Sequence, residues 1–251
     1  MEWIRQLLGR PRANASARQV AHTDRIYAVG DIHGRADLLQ DLLARIAQDA
    51  AARADERRSK YVFLGDYVDR GEQSKQVLEI LRSLPAALDA DVICLRGNHE
   101  AALLDFLEDP EAGVRWLNFG GDQTLRSYGL DPAAPPLRLR DDFRKALGPH
   151  LAFLERTERF WISGDVAFVH AAINPRRAMD DQDDQDLYWG NRAFLKGRGR
   201  AGRLVVHGHY NDHSPIVTPH RICVDTGAYY SDNLTAVCLD QDVRFLGTDR
   251  P

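Results

Sequence analysis

The sequence predicts an α/β fold in which two mixed β-sheets pack on each other and carry helices on their outer faces. Three observations predict it. Residues 25–108 alternate short β-branched runs with longer amphipathic segments. Each of the first three runs ends in a polar, glycine-containing loop. After residue 160 the pattern changes to short apolar runs with no long amphipathic segment between them.

The elements follow in order. Residues 25–29 (RIYAV) read as a buried strand that stops at Gly30. Over 36–50, Leu38, Leu39, Leu42, Leu43 and Ile46 recur at helical spacing, so a helix follows. Residues 61–64 (YVFL) are the second strand, stopping at Gly65, with a second helix over about 74–84. Residues 91–95 (DVICL) are the third strand, followed by a loop over 96–100 and a helix over 101–108. Such repeats build a parallel sheet with right-handed crossovers, and its carboxyl edge is where ligands bind. Residues 109–160, irregular and helical with a proline-rich turn at 132–136, predict a cap beside the sheet. The runs 166–169 (VAFV), 203–206 (RLVV), 221–224 (RICV) and 234–239 (LTAVCL) predict a second sheet packed on the first. The acidic run 180–186 (DDQDDQD) reads as a solvated loop. Residues 1–24 read as a flexible arm and 25–251 as one catalytic domain that includes the cap.

Composition narrows the function. A chain of 251 residues buries roughly three quarters of the surface its unfolded form exposes, enough for a sizeable core. The net charge of −4 provides no basic field, so nucleic acid is not an expected partner. No apolar stretch is long enough to span a membrane, and residues 1–8 lack the apolar region of a signal peptide. Cys94, Cys223 and Cys238 sit singly in apolar runs, which argues for buried thiols in a reducing, cytoplasmic setting.

The chemistry gathers where strands end. The loops read Gly30-Asp31-Ile32-His33-Gly34, then Gly65-Asp66-Tyr67-Val68-Asp69-Arg70-Gly71, then Gly97-Asn98-His99-Glu100. Later strands finish at His170 and at His207-Gly208-His209. Asp31 and His33, two apart in an extended segment, point to one side and can chelate one ion. Oxygen and imidazole donors without thiolate suit manganese, iron or zinc. Asp66 is placed to bridge two ions, and either His207 or His209 could reach the site from one strand face. Any one of these loops alone is an ordinary turn; all three, in order and each behind a strand, point to a metal site.

On these residues the chain resembles the phosphoprotein phosphatases within the calcineurin-like metallophosphoesterases. It is most similar to the bacterial branch that includes the phage lambda protein phosphatase. The resemblance spans residues 25–245 and includes Trp116-Leu117-Asn118-Phe119-Gly120-Gly121, Val169-His170-Ala171, and Asp225-Thr226-Gly227-Ala228 ahead of Leu234-Thr235-Ala236. It implies the four-layer α/β/β/α metallophosphoesterase fold and two divalent ions, manganese first, with iron or zinc as alternatives. Asp31, His33 and Asp66 would hold one ion; Asp66, Asn98, His170 and His209 the other. His209 is chosen over His207 because the family's ligand directly follows a glycine. Asp69 and His99 match the family's acid pair, and Arg70 its phosphate-binding arginine. Arg96 matches a basic position ahead of Gly97-Asn98-His99-Glu100, but it is read as a brace for the loop and left out of the site.

The segment 187–195 (LYWGNRAFL) departs from the pattern. Relatives carry an arginine two residues after the tryptophan, where this chain has Asn191. Either the loop shifts by one and Arg192 binds phosphate, or the contact is weakened. Tyr210-Asn211 also replaces the usual Thr-Pro. The implied activity is hydrolysis of phosphoserine or phosphothreonine, or of a small phosphate monoester, by in-line attack of a bridging hydroxide with His99 as general acid. The competing reading is a dinucleotide polyphosphate hydrolase. Those relatives often carry Ala at the position of Asp69 and Asp at the position of Glu100. A non-catalytic scaffold would have lost a ligand or the acid pair, and this chain has lost neither.

Overall fold

The computed structural model describes residues 19–249 except 22, 54, 56, 89 and 198–201. Most of the expected arm, residues 1–18, lies outside the described residues. Its last part is packed: Val20 is buried among inter-sheet residues and the Ala21 N–H donates to Ser163 Oγ at 3.0 Å.

The first half alternates as expected: β1 (Asp24–Val29), α1 (Ala36–Ala51), β2 (Arg58–Phe63), α2 (Ser74–Leu88), β3 (Asp91–Cys94) and α3 (Asn98–Glu108). Then come a 3-10 turn (Gly113–Phe119), α4 (Gly121–Ser127), α5 (Pro136–Leu147) and α6 (Pro149–Glu155). The second half holds β4 (Phe160–Ser163), β5 (Val166–Val169), a 3-10 turn (Met179–Asp181), α7 (Asp184–Trp189), α8 (Arg192–Leu195), β6 (Leu204–His207), β7 (Ile216–Val217) and β8 (Arg221–Cys223). It closes with α9 (Ala228–Ser231), β9 (Thr235–Leu239) and β10 (Val243–Gly247).

Two five-stranded mixed sheets result, in the orders β10-β9-β1-β2-β3 and β4-β5-β6-β8-β7. β1, β2 and β3 run parallel, as do β5, β6 and β8; β9 and β10 add antiparallel strands at one edge of the first sheet, and β4 and β7 close both edges of the second. Period-two alternation makes the layers. Ile26 and Ala28 of β1 face the second sheet with Val166, Phe168, Val206 and Ile222. Tyr27 and Val29, on the other face, pack under α1, α2 and α3 with Leu39, Leu42, Leu78 and Phe106. Val169 and Val205 carry Leu187 and Phe194 on the far face of the second sheet. The segment 109–160 joins the first of these cores through Trp116, Leu139, Phe143 and Leu154.

Several local expectations are corrected. The helix expected to stop before Pro85 runs on to Leu88, because Leu84 and Leu88 are both held by the core. The loop expected at 96–100 is the start of a helix: Glu100 accepts the Gly97 N–H at 3.0 Å, closing the first turn. The acidic run 180–186 is not simply loop. Asp184 opens α7, and Gln182 is buried with its amide donating to the carbonyls of Asn174, Arg177 and Ala178. Strands β4, β7 and β10 were not anticipated. The cysteines are free thiols, with Cys223 and Cys238 buried and Cys94 half-buried. No helix among the described residues is long and apolar enough to cross a membrane.

Candidate metal centre

The parallel strands of both sheets deliver their polar ends to one place. Asp31 and His33 follow β1, Asp66 follows β2, Asn98 and His99 follow β3, His170 follows β5 and His209 follows β6. β8 adds Asp225, to which the sequence reading gave no role. Among the described residues, six non-glycines have positive φ; His33, Asp66, Asp69, Arg70 and His209 are five of them. Each such residue costs about 1–3 kcal/mol, so the surrounding structure must over-determine them.

This backbone overturns the extended-chain argument for Asp31 and His33. His33 lies at φ 44°, so the pair does not sit on one strand face. Both Asp31 oxygens instead accept the His209 N–H at 3.1 Å, while His33 Nε2 lies 3.5 Å from Asp66 Oδ2. The same holds for His207 and His209. His207 ends β6, fully buried, with its Nε2 accepting from Arg221 Nη1 at 3.1 Å. His209, at φ 64°, turns away and brings Nδ1 to 3.0 Å from Asn98 Oδ1.

Two groups of donor atoms converge: His33, Asp66 and His99, and Asp66, His170 and His209. Asp66 is common to both. The imidazoles are oriented from behind. His33 Nδ1 donates to the Val68 carbonyl and His170 Nδ1 to the Leu64 carbonyl, both at 2.9 Å, so each Nε2 presents a lone pair inward. Asn98 Oδ1 lies 3.0 Å from both His170 Nε2 and His209 Nδ1. Burial pushes His33 and His170 below the usual imidazole range, and His209 to about 4, so all three are neutral at pH 7. Burial also works against an Asp66 charge, yet Asp66 lies below the usual carboxylate range and is ionised, with the His99 backbone N–H donating to its Oδ1 at 3.1 Å.

Asp31 is pushed up by burial and by the charges of Asp225 and Asp66; Asp225 is raised to about 6, again mainly by burial. Three buried carboxylates and a ring of neutral nitrogens make a cavity that suits cations. Glycines let the backbone close on it: a Cβ at Gly97 would lie 2.1 Å from Asp66 Oδ1, and one at Gly208 2.0 Å from Asp31 Oδ1.

Beside the cluster stands a histidine–aspartate pair. His99 Nδ1 donates to Asp69 Oδ2 at 2.7 Å. Burial works against a charge on His99, yet Asp66 and Asp69 together raise its pKa. Arg70 Nη2 lies 3.2 Å from His99 Nε2, and its guanidinium rests 4.7 Å from the centre of the Tyr229 ring. Since guanidinium only donates, that contact requires a lone pair on Nε2. The two carboxylates favour a proton there instead. In the free protein the directed Arg70 N–H, 3.2 Å from the ring nitrogen, keeps that lone pair in place.

Residues without an assigned role in the sequence reading complete the site. Glu100 accepts the N–H groups of Asp66 (2.8 Å), Tyr67 (2.7 Å), Val68 (3.3 Å) and Gly97 (3.0 Å), binding the second loop to the third. Trp116 and Thr124 hold Asp69. For Glu100 and Trp116 the motifs GNHE and WLNFGG were the visible signal, whereas Thr124 lies in neither, and the contacts of all three were not visible. Tyr210 sets its ring edge-on to His209 at 4.8 Å, and Asn211 accepts from the Tyr230 hydroxyl at 3.1 Å.

The two remaining arginines separate. Arg192 is the exposed first residue of α8, and no hydrogen bond or ion pair among the described residues joins it to the cluster. Asn191, where relatives place arginine, is the N-cap: its oxygen accepts from Ala193 and Phe194, and its amide donates to Asp186. Arg96 braces, donating to Thr157 Oγ1 at 3.0 Å and to the carbonyls of Leu154 (3.2 Å) and Glu155 (2.9 Å) at the end of α6. Arg96→Ala should therefore lower stability by about 1–3 kcal/mol in urea unfolding and leave KM unchanged. A changed KM with unchanged stability would contradict the bracing role.

Known proteins resemble this chain in sequence and in fold. Residues 24–243 match the model of the calcineurin-like phosphoesterases. The symmetrical bis(5'-nucleosyl)-tetraphosphatase of Dechloromonas aromatica (strain RCB) is 42% identical over 267 aligned residues, covering 85% of this chain and 92% of that protein. The serine/threonine-protein phosphatase BSL2 of Arabidopsis thaliana is 38% identical over 78 residues, 31% of this chain and only 8% of that much longer protein. A crystal structure of a provisionally assigned diadenosine tetraphosphatase superposes with TM-score 0.62 at 20% identity, over 94% of this chain and 100% of that one, a likeness of fold.

Proposed function

The chain belongs to the calcineurin-like phosphoesterase family, and from that premise we propose that it is a metal-dependent phosphomonoesterase acting on phosphoserine or phosphothreonine. One observation carries the reading: a buried Asp69–His99 pair, 2.7 Å apart, placed against the guanidinium of Arg70. A serine or threonine alkoxide is a very poor leaving group and needs a proton as it departs. A nucleoside diphosphate leaves as a stable anion, so a purpose-built donor adds little to its expulsion.

Asp31, His33 and Asp66 would hold one divalent ion, and Asp66, Asn98, His170 and His209 a second. Such ions supply Lewis acidity and an activated water when bound, manganese, iron and zinc all suiting the donors. His99 stands outside this set because its Nδ1 is taken by Asp69 and a guanidinium faces its Nε2. Arg70 binds phosphoryl oxygens with its planar fork, and the Tyr229 ring holds that fork in place. When phosphate takes up Arg70, the guanidinium no longer competes for His99 Nε2. The two carboxylates then favour a proton there, aimed at the leaving oxygen. Arg192 contributes a phosphate contact only if its loop moves inward from the position described above.

The test is a side-by-side comparison of kcat/KM on phosphoserine, phosphothreonine and phosphotyrosine peptides, diadenosine tetraphosphate and a phosphodiester. The phosphoserine or phosphothreonine peptide should lead. A lead for the tetraphosphate would replace this reading with the second one, a dinucleotide polyphosphate hydrolase, which the name of the near-full-length relative favours. Chelation should abolish activity and manganese restore it; full activity in protein stripped of metal, as checked by elemental analysis, would sink the metal assignment.

A further inference from the structure

Asp69 is fully buried at φ 73°, and both of its carboxylate oxygens are engaged. Oδ2 accepts from His99 Nδ1 at 2.7 Å and from Trp116 Nε1 at 2.8 Å. Oδ1 accepts from Thr124 Oγ1 at 2.6 Å. The Asp69 N–H donates to Thr124 Oγ1 at 2.9 Å and to Ser74 Oγ at 3.1 Å. Thr124 has one hydroxyl proton, and the short contact to the carboxylate takes it. The 2.9 Å contact between Thr124 and Ser74 is then donated by Ser74.

The anchors are themselves fixed. Trp116 is buried between Phe106 and Phe143, and a Cβ at Gly121 would lie 2.4 Å from its ring. Its indole N–H has one place to point. An unrestrained carboxylate turns easily about its last torsion, which is broad and two-fold. This one cannot turn without breaking a bond to Thr124, Trp116 or His99.

We infer that Thr124 and Trp116 are positioning residues for proton donation. They fix the plane of the Asp69 carboxylate so that Oδ2 faces His99, which keeps the imidazole with Nδ1–H on Asp69 and Nε2 toward the phosphate site. The segment 109–160 thus serves the reaction directly, through two side chains that reach Asp69 from 47 and 55 residues away in sequence. The inference rests on His99 being the proton donor, as proposed above. A bland alternative exists: the two residues only satisfy a buried carboxylate, in which case their loss would harm every substrate alike.

The experiment places Thr124→Val, Trp116→Phe, Asp69→Asn and His99→Asn in the metal-loaded enzyme and measures kcat on a phosphoserine peptide and on p-nitrophenyl phosphate. Thr124→Val and Trp116→Phe should each lower the peptide-to-nitrophenyl rate ratio by about 10-fold, part of what general acid catalysis contributes. Neither should lower it further in the Asp69→Asn background, and Thr124→Ser should restore it. Proton NMR of the zinc-loaded protein gives a reading independent of turnover: the downfield His99 Nδ1–H signal should shift or broaden in Thr124→Val. An unchanged ratio, a ratio loss that adds to that of Asp69→Asn, or an unmoved signal overturns the inference. Trp116→Phe keeps an aromatic side chain in the slot while losing the N–H and the pyrrole half of the indole; with its fold checked by circular dichroism, it decides the matter if Thr124→Val fails to fold. If His99→Asn itself leaves the ratio unchanged, the donor assignment and this inference fall together. If His99→Asn lowers the ratio and the other two do not, this inference alone fails.

Discussion

Asp66→Asn is expected to bring bound metal close to zero and to lower kcat by about 10³-fold or more, the equivalent of losing several kcal/mol of charge stabilisation. Asp66 Oδ2 lies 3.5 Å from His33 Nε2 and 3.5 Å from His170 Nε2, so one carboxylate serves both groups of donors. It is ionised despite its burial, and no other described residue belongs to both groups. The amide keeps the shape and can still accept the His99 N–H that Oδ1 now takes at 3.1 Å. What it loses is the charge. Asp31→Asn is the control, because Asp31 sits on one side, against Asp225 and the His209 N–H. Its metal content should fall toward half. Elemental analysis of the two variants at equal protein concentration decides the matter, and equal metal loss in both would remove Asp66 from its bridging role.

His99→Asn should damage catalysis in proportion to the basicity of the leaving group. On a phosphoserine peptide the loss should reach about 10²–10⁴-fold, roughly 3–5 kcal/mol of barrier. On p-nitrophenyl phosphate, whose phenolate leaves unaided, it should be far smaller. Metal content should not change, because His99 spends Nδ1 on Asp69 and faces Arg70 with Nε2. The metal readout is decisive, because a His99 ring nitrogen also lies within reach of His33 and Asp66. If His99→Asn lost metal and slowed both substrates equally, His99 would be a ligand and the acid role would fail.

The sequence by itself determined the alternation of the first half, the presence of two packed sheets and the place of the site, but it put 234–239 in the second sheet, whereas that run is β9 and pairs with β1 and β10 in the first. Residues 25–29, 61–64 and 91–95 show their strand character locally, and each runs into a loop whose aspartate, asparagine or histidine has no local structural need. Those signals lie within a few residues of one another, so a linear reading reaches them. Only the tertiary structure decided how the side chains meet. The left-handed turns at His33, Asp66 and His209 are unfavourable locally and persist because packed neighbours enforce them; extended-chain geometry therefore misplaced Asp31 relative to His33 and His207 relative to His209. Asp225 comes beside Asp31 only once β8 pairs with β6. Short edge strands such as β4 and β10 acquire strand character from pairing with β5 and β9, not from their own few residues. Trp116 and Thr124 reach Asp69 across more than forty residues, a contact set by where the 109–160 segment packs on the helices. Local chemistry follows from nearest neighbours along the chain, whereas the geometry of a site built from six strand ends follows from the packing of two sheets, which no short window of sequence contains.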